Sequence, residues 1–220
     1  MTIKIHGRFD GGFAWLARPE HFMRQSSTAL VHAGKVWLID PLRAEGIEEE
    51  IAALGTPAGV ISLVGWHDRS VDWFASLYGV PVYIASWLRN KLFASPAERV
   101  DSAVPGTPFR LVNTSMRGLF AWWTEAALWW PEEGVLVTGD CVGSAPYFIR
   151  SGERLAVHPI VRLSPPTSLR GLQPRRVFPG HGESVHEGAT EALEHALRTA
   201  RSELIPAWRH AFTHGWRMRE

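Results

Sequence analysis

The sequence is poor in cysteine and in long apolar runs. Cys141 is the single cysteine among 220 residues, which excludes an intramolecular disulfide framework and a cysteine-rich zinc cluster. No uncharged run approaches the roughly 18 residues that a membrane-spanning helix needs. Residues 1–10 also lack a basic segment that leads into a long apolar stretch. We therefore expect a cytoplasmic protein that is neither secreted nor inserted in a membrane.

Charge of one sign is lacking as well. The 23 basic and 22 acidic residues leave a formal net charge of +1, so there is no one-sided basic field of the kind that nucleic-acid binding needs. No serine lies in a Gly-x-Ser-x-Gly motif, which leaves a serine hydrolase without support. Tryptophan, in contrast, is abundant, with 11 residues that include the doublets Trp122-Trp123 and Trp129-Trp130. We expect these rings to pack in the core and at sheet edges.

Strand and helix patterns alternate along the chain, which predicts an α/β fold. Residues 28–40 have the pattern of a hairpin, and residues 119–140 that of two strands around a turn at 131–134. A second helix–strand unit is predicted to run through Ser168-Leu169 into a strand at 176–178. The remaining predicted elements are a helix at 45–54, a buried strand at 59–64, a helix at 70–77 and a strand at 80–84.

The last part of the chain is predicted to be helical. Apolar residues recur at helical spacing from Ala189, which indicates a long amphipathic helix up to Pro206, and a short helix follows. No linker composition interrupts the chain, so we expect one domain over residues 1–220, with the helical segment 187–220 packed on it. Three aromatic residues recur every four positions near the end, namely Trp208, Phe212 and Trp216. Packing within the protein is favoured for them, and the alternative is a homodimer contact.

Three polar side chains follow predicted strands, where α/β folds gather their ligands. His67 follows the buried strand at 59–64, and Asp140 follows Val135-Leu136-Val137-Thr138-Gly139. His181 stands between Gly180 and Gly182, two glycines that we expect at positive φ.

This ordered set resembles the metallo-β-lactamase superfamily, which includes the hydroxyacylglutathione hydrolases, over most of Thr28 to Glu183. Leu38-Ile39-Asp40-Pro41 has a recurrent counterpart there, and both Gly139-Asp140 and Pro179-Gly180-His181-Gly182 match family motifs. The resemblance implies a four-layer αβ/βα sandwich, with two internal sheets and helices outside. It also implies a hydrolytic site that holds two metal ions.

The metal-binding motif departs from the family pattern. The family loop His-x-His-x-Asp-His falls on Gly65, His67, Arg69 and Ser70, so one ligand of that loop survives. The lone family histidine before Gly-Asp is missing, because no histidine occurs between His67 and His158. Two metal ions need several protein ligands each, and only His67, Asp140 and His181 remain. We therefore expect an eroded site that lacks standard two-metal hydrolysis.

Several chemistries stay open at the surviving residues. His67, Asp140 and His181 suffice for one divalent ion, zinc first with iron or manganese as alternatives, and the other expectation is no metal at all. Arg69 is a candidate for a fixed cation that replaces a metal ion and pairs with Asp140. His158 and His186 are weaker candidates for replacement ligands.

Three functions follow from these readings. The first is a metallo-β-lactamase-like protein without two-metal hydrolysis that acts on, or binds, a small molecule. The second is a mononuclear metal-dependent hydrolase of a small ester, thioester or lactone. The third is a non-catalytic binding or scaffold protein.

Overall fold

A computed structural model describes residues 3–67, 69–89, 92–150 and 152–217, without the side chains of Leu119 and residues 214–217. The described residues form thirteen β-strands and four α-helices. The strands are β1 (Lys4–Phe9), β2 (Gly12–Leu16), β3 (Ser26–His32), β4 (Lys35–Ile39), β5 (Thr56–Ser62), β6 (Val82–Ala85), β7 (Ala97–Val100), β8 (Arg110–Asn113), β9 (Ala126–Trp130), β10 (Val135–Thr138), β11 (Val142–Gly143), β12 (Ala156–Val157) and β13 (Arg176–Pro179). The helices are α1 (Ile47–Leu54), α2 (Val71–Tyr78), α3 (Ala189–Thr199) and α4 (Leu204–Arg217).

The strands form two main sheets. The first has the order β1-β2-β3-β4-β5-β6-β7, antiparallel from β1 to β4 and parallel from β4 to β7. The parallel half arises because α1 connects β4 to β5 and α2 connects β5 to β6. The second sheet has the order β13-β10-β9-β8, with β10 and β13 parallel. A small antiparallel pair, β11 and β12, follows β10.

Side chains on β10 and β13 of the second sheet point alternately to its two faces, which shows how the layers pack. Val135, Val137 and Phe178 point into a core that is shared with the first sheet. The intervening Leu136 and Val177 point to the opposite face, into a second core that holds the apolar residues of α3. This period of two is what a strand buried on both faces requires. The helices α1 and α2 bury Ile47, Ile51, Val71 and Phe74 against the first sheet.

Most predicted elements are confirmed, and two are wrong. The segment through Ser168-Leu169 forms only short 3₁₀ helices at Val161–Leu163 and Thr167–Leu169, since prolines 165 and 166 interrupt it. The helix from Ala189 ends at Thr199, and α4 is longer than the predicted final helix. Pro206 does not end a helix, because it lies in the first turn of α4, where a missing N–H costs nothing.

Helix α4 packs on the segment between β11 and β13. Trp208 donates its indole N–H to the Pro159 carbonyl at 2.9 Å, and the buried Arg162 donates to the carbonyls of Val157 and Phe148. Phe212, in contrast, is 74 % exposed, and the side chain of Trp216 lies outside the described residues. In the described part of the chain, no helix has the length and apolarity that a membrane crossing needs.

Candidate metal centre

The three predicted ligands meet at one end of the two sheets. His67 comes from the loop after β5 in the first sheet, while Asp140 and His181 each lie two residues past the end of β10 and β13. Thr138 and Pro179 are paired in register on those two parallel strands, so the residues that follow them emerge side by side. The site therefore draws its side chains from both sheets.

The three side chains are buried and in contact. Asp140 Oδ1 lies 2.7 Å from His67 Nε2 and 2.8 Å from His181 Nε2. One ligand atom from each residue lies within 4.8 Å of the other two. Within the residues that the structure describes, this is the one group of three or more such side chains whose geometry suits a metal ion.

His181 has its ring orientation set by the main chain. Its Nδ1 donates a hydrogen bond to the Met23 carbonyl at 2.9 Å, so the proton of the neutral ring is on Nδ1 and a lone pair is on Nε2. Burial lowers the pKa of His181, and its contact with Asp140 opposes that effect without reversing it, which favours the neutral ring. In the neutral ring, two atoms that both accept hydrogen bonds, His181 Nε2 and Asp140 Oδ1, face each other at 2.8 Å.

His67 and Asp140 form an ion pair. Burial alone would lower the pKa of His67, but the Asp140 charge, the hydrogen bond to Asp140 and the neighbouring Asp40 outweigh burial and raise that pKa to about 9. Burial likewise opposes ionisation of Asp140, yet chiefly the charge of His67 and its hydrogen bond hold the pKa of Asp140 well below its usual range. The Trp66 indole N–H donates to the second oxygen, Oδ2, at 3.3 Å. Asp140 is consequently a carboxylate near pH 7.

Close packing of the loops depends on two glycines. A Cβ on Gly180 would lie 2.5 Å from the Gly139 carbonyl oxygen, and a Cβ on Gly139 would lie 2.3 Å from Val64 Cγ2. Gly182 has a φ of 96°, as predicted, whereas Gly180 does not have a positive φ. Glycine is required at position 180 because the two loops touch there. The predicted reason, a positive φ at Gly180, was wrong.

Arg69 points inward, but its predicted contact with Asp140 is wrong. Its guanidinium is buried and donates to the Ser26 carbonyl at 3.3 Å and the Gly180 carbonyl at 3.2 Å. Its Nε lies 3.4 Å from His67 Nδ1, a nitrogen that accepts from Arg69 only in the deprotonated form of His67. Arg69 and Asp140 thus lie at opposite nitrogens of one imidazole, and among the described residues Asp140 pairs with histidines alone. The two carbonyls hold the guanidinium away from the carboxylate.

Asp40, from the Leu38-Ile39-Asp40-Pro41 motif, stands behind His67. Its backbone is left-handed, with a φ of 44°, a conformation that is strained for a residue with a side chain. Its Oδ1 accepts hydrogen bonds from Ser62 Oγ and Leu63 N. Its Oδ2 lies 3.8 Å from His67 Nδ1 and has no hydrogen-bond partner among the described residues. This carboxylate adds negative potential beside His67 and Arg69.

Neither of the two weaker histidine candidates belongs to the group of three. His158 packs among the rings of Trp123, Tyr147 and Phe148, and burial lowers its pKa to about 4. His186 hydrogen-bonds Ser184 Oγ at 3.0 Å. Both residues therefore have local packing partners of their own.

Two residues of the site were missed from the sequence, Trp66 and Glu125. The tryptophan had no distinguishing signal, since 11 tryptophans occur in the chain. Glu125 had one, because it is the single charged residue in the apolar stretch 119–130. A lone carboxylate that is buried beside the start of a strand needs hydrogen-bond donors. Here the donors include the main-chain amides of Asp140 and Cys141.

Comparisons with known proteins are informative at the level of structure. No family model matches the sequence, and no curated protein matches it. Among solved structures, the DIM-1 metallo-β-lactamase exposed to ceftazidime has a TM-score of 0.62 at 14 % identity, covering 91 % of this chain and 98 % of its own. The metallo-β-lactamase FIM-1 from Pseudomonas aeruginosa, in its mono-zinc form, has a TM-score of 0.57 at 10 % identity and covers 91 % and 97 %.

A third similar structure has a different role. The chemotaxis sensor ODP, in a peroxy diiron form, has a TM-score of 0.58 at 14 % identity, covering 90 % of this chain and 94 % of its own. These likenesses extend over almost the whole of each chain and confirm the predicted α/β sandwich. At such low identities they establish the fold alone, because one fold carries many activities.

Proposed function

We propose that this chain, which has the metallo-β-lactamase fold, binds one divalent metal ion through His67, Asp140 and His181. One observation carries the proposal, the contact between His181 Nε2 and Asp140 Oδ1 at 2.8 Å. In the neutral ring, which donates Nδ1–H to Met23, both atoms are acceptors and no hydrogen bond joins them, whereas a protonated ring would donate to both Met23 and Asp140. A cation shared by the two lone pairs converts this unfavourable contact into a favourable one.

The donor set suits zinc, with iron or manganese as alternatives. Two imidazole nitrogens and a carboxylate are a common set for a catalytic zinc, which uses about three protein ligands. The Met23 carbonyl on His181 Nδ1 supplies the outer contact that metal-binding histidines ordinarily make. When bound, such an ion acts as a Lewis acid and lowers the pKa of a coordinated water toward ~7.

The residues of the chain then have separate tasks in a hydrolysis. Asp140 supplies negative charge, and Trp66 fixes its second oxygen by an indole N–H. Phe148 stacks on His181 with ring centroids 5.5 Å apart, which limits access of water to that ligand. We infer that the substrate is a small ester, thioester or lactone.

A single ion is proposed because the ligands for a second one are missing. At the family's other ligand positions stand Gly65, Arg69 and Ser70. Arg69 is buried beside His67, with burial lowering its pKa and the charges of Asp40 and Asp140 opposing that effect. A fixed cation in this place repels a second metal ion. We therefore propose that two-metal hydrolysis has been lost.

Zinc titration of the metal-stripped protein tests the proposal directly. We expect isothermal titration calorimetry to give about one equivalent, and elemental analysis of protein purified without chelator to agree. Two equivalents would contradict the loss of the second site, and no binding would contradict the metal proposal altogether. Hydrolysis of p-nitrophenyl acetate, an acyl thioester and a γ-lactone, with and without zinc, then tests the activity.

Zinc affinity is expected to rise with pH. In the metal-free protein the pKa of His67 is raised from 6.5 to about 9, so its charged form stabilises the fold fully below about pH 6.5, and this contribution is lost as the pH rises through about 9. A metal must displace that proton. Between pH 6.5 and 8.5 we expect the zinc Kd to fall roughly tenfold per unit. A competition assay with a chelating dye, corrected for the dye's own protonation, measures this, and a flat profile would contradict it.

The second candidate function is that of a binding or scaffold protein, in which the chain forms a homodimer. Its specific support is the exposed apolar side of α4, where Ile205 and Phe212 are 70 % and 74 % exposed. Sedimentation velocity over a hundredfold range of concentration tests it. We expect Phe212→Ser to abolish any dimer that the wild type forms.

A further inference from the structure

Glu125 is a buried carboxylate that has no assigned task. It is 0 % exposed, and N–H groups surround it. Its Oε1 accepts hydrogen bonds from the main-chain amides of Asp140 and Cys141, both at 3.0 Å. Its Oε2 accepts one from the indole of Trp123 at 2.9 Å. All three partners can only donate, so they suit a carboxylate that accepts at both oxygens.

The main chain of Glu125 lies where the two sheets join. It forms an isolated bridge with Val64, and the next residue, Ala126, donates its amide to the Leu63 carbonyl at 2.9 Å. Leu63 and Val64 lead into the loop that carries His67. The side chain of Glu125, in contrast, holds the turn that carries Asp140. One residue thus links the supports of two candidate ligands that lie 73 positions apart in the chain.

Keeping this carboxylate buried is unfavourable by itself. Burial and the nearby charge of Asp140 raise the pKa of Glu125, against the effect of its hydrogen bonds. An uncharged residue would avoid that cost, and residues 119–130 are otherwise free of charge. Its presence is accounted for by what it holds, namely the peptide group at the base of the Asp140 side chain.

We propose that Glu125 is a positioning residue for the metal centre, which holds the Asp140 turn so that the Asp140 carboxylate faces His67 and His181. This inference rests on the proposed function, because the metal gives the direction of Asp140 its purpose. Glu125 itself does not touch the ligand histidines in the described structure. Its effect on them passes through Asp140.

The test uses Glu125→Gln, alone and combined with Trp123→Phe. Glutamine can still accept both amides with Oε1, but its NH₂ group then faces the Trp123 indole N–H, and two donors oppose each other. Trp123→Phe removes that indole N–H. The double variant therefore restores the acceptor contact to Asp140 without restoring the charge. Trp123→Phe alone is the matched control.

We expect Glu125→Gln to weaken zinc binding about tenfold or more, as loss of an outer contact at a metal site does. The double variant is expected to return to within about threefold of Trp123→Phe. The d–d absorption spectrum of the cobalt-loaded protein should change in the single variant and revert in the double one. A merely structural role would lower the melting temperature without changing affinity or spectrum.

A readout without metal separates this inference from the proposed function. In metal-free protein, the ¹⁵N imidazole resonances of His67 and His181 report the direction of Asp140. They should shift in Glu125→Gln and return toward those of Trp123→Phe in the double variant. If the wild type binds no zinc, the metal proposal fails and these resonances still decide the role of Glu125. Unchanged resonances in the single variant, or equal changes in both, would overturn it.

Discussion

Replacing His181 by alanine is expected to abolish stoichiometric zinc binding. The change removes one of three candidate ligands and leaves Asp140 paired with His67 alone. Loss of an outer contact at a metal site costs about 10–100-fold in affinity, so loss of a ligand should cost at least about 100-fold. Elemental analysis and calorimetric titration of the variant beside the wild type measure the effect.

His186→Ala is the matched control for that experiment. His186 lies five residues further along the same segment and hydrogen-bonds Ser184 Oγ, outside the group of three. We expect it to keep about one equivalent of zinc. Retention of a full equivalent by His181→Ala would refute the assignment of the ligands, whatever the control does.

Arg69→Ala is expected to lower the free energy of unfolding by roughly 3–5 kcal/mol, the usual cost of removing one member of a buried charged group. Arg69 is 7 % exposed, so solvent screens its contacts little. Its removal leaves the carbonyls of Ser26 and Gly180 without their guanidinium donor, and removes one of the two cations, Arg69 and His67, near the Asp40 carboxylate. Urea denaturation of metal-free protein measures the change.

Arg8→Ala supplies the comparison at the surface. Arg8 pairs with Glu50 at 2.6 Å, but both side chains are well exposed, at 52 % and 37 %. Exposed pairs contribute about 0–1 kcal/mol, so this variant should unfold close to the wild-type midpoint. A wild-type-like midpoint for Arg69→Ala as well would mean that the guanidinium is not needed to join the two loops.

The sequence predicts the fold well where periodicity is strong. The hairpin of β3 and β4, the buried strand β5, and the helices α1 and α2 lie close to their predicted positions because their apolar patterns and end signals agree. The segment 161–172 was misread because its apolar residues suit a helix, while its prolines prevent one. The break between α3 and α4, at residues 199–204, contains no proline or glycine that would reveal it in the sequence.

The candidate site was harder to predict from the sequence than the fold. His67, Asp140 and His181 were identified by a family resemblance, and the parallel register of β10 and β13 accounts for the closeness of two of them. The direction of Arg69 could not be predicted, because its partners are main-chain carbonyls of Ser26 and Gly180. Glu125 likewise bonds to main-chain amides, and any residue type supplies such groups.

The origin of the site in both sheets has a consequence for folding kinetics. His67 and Asp140 meet only after the two sheets have docked, since 73 residues separate them. Contacts of such long sequence separation are typically absent from early folding ensembles. An ion that binds the completed site therefore stabilises the native state more than the transition state, so it slows unfolding without speeding folding. Metal in this protein would lengthen the lifetime of the folded chain rather than help it to form.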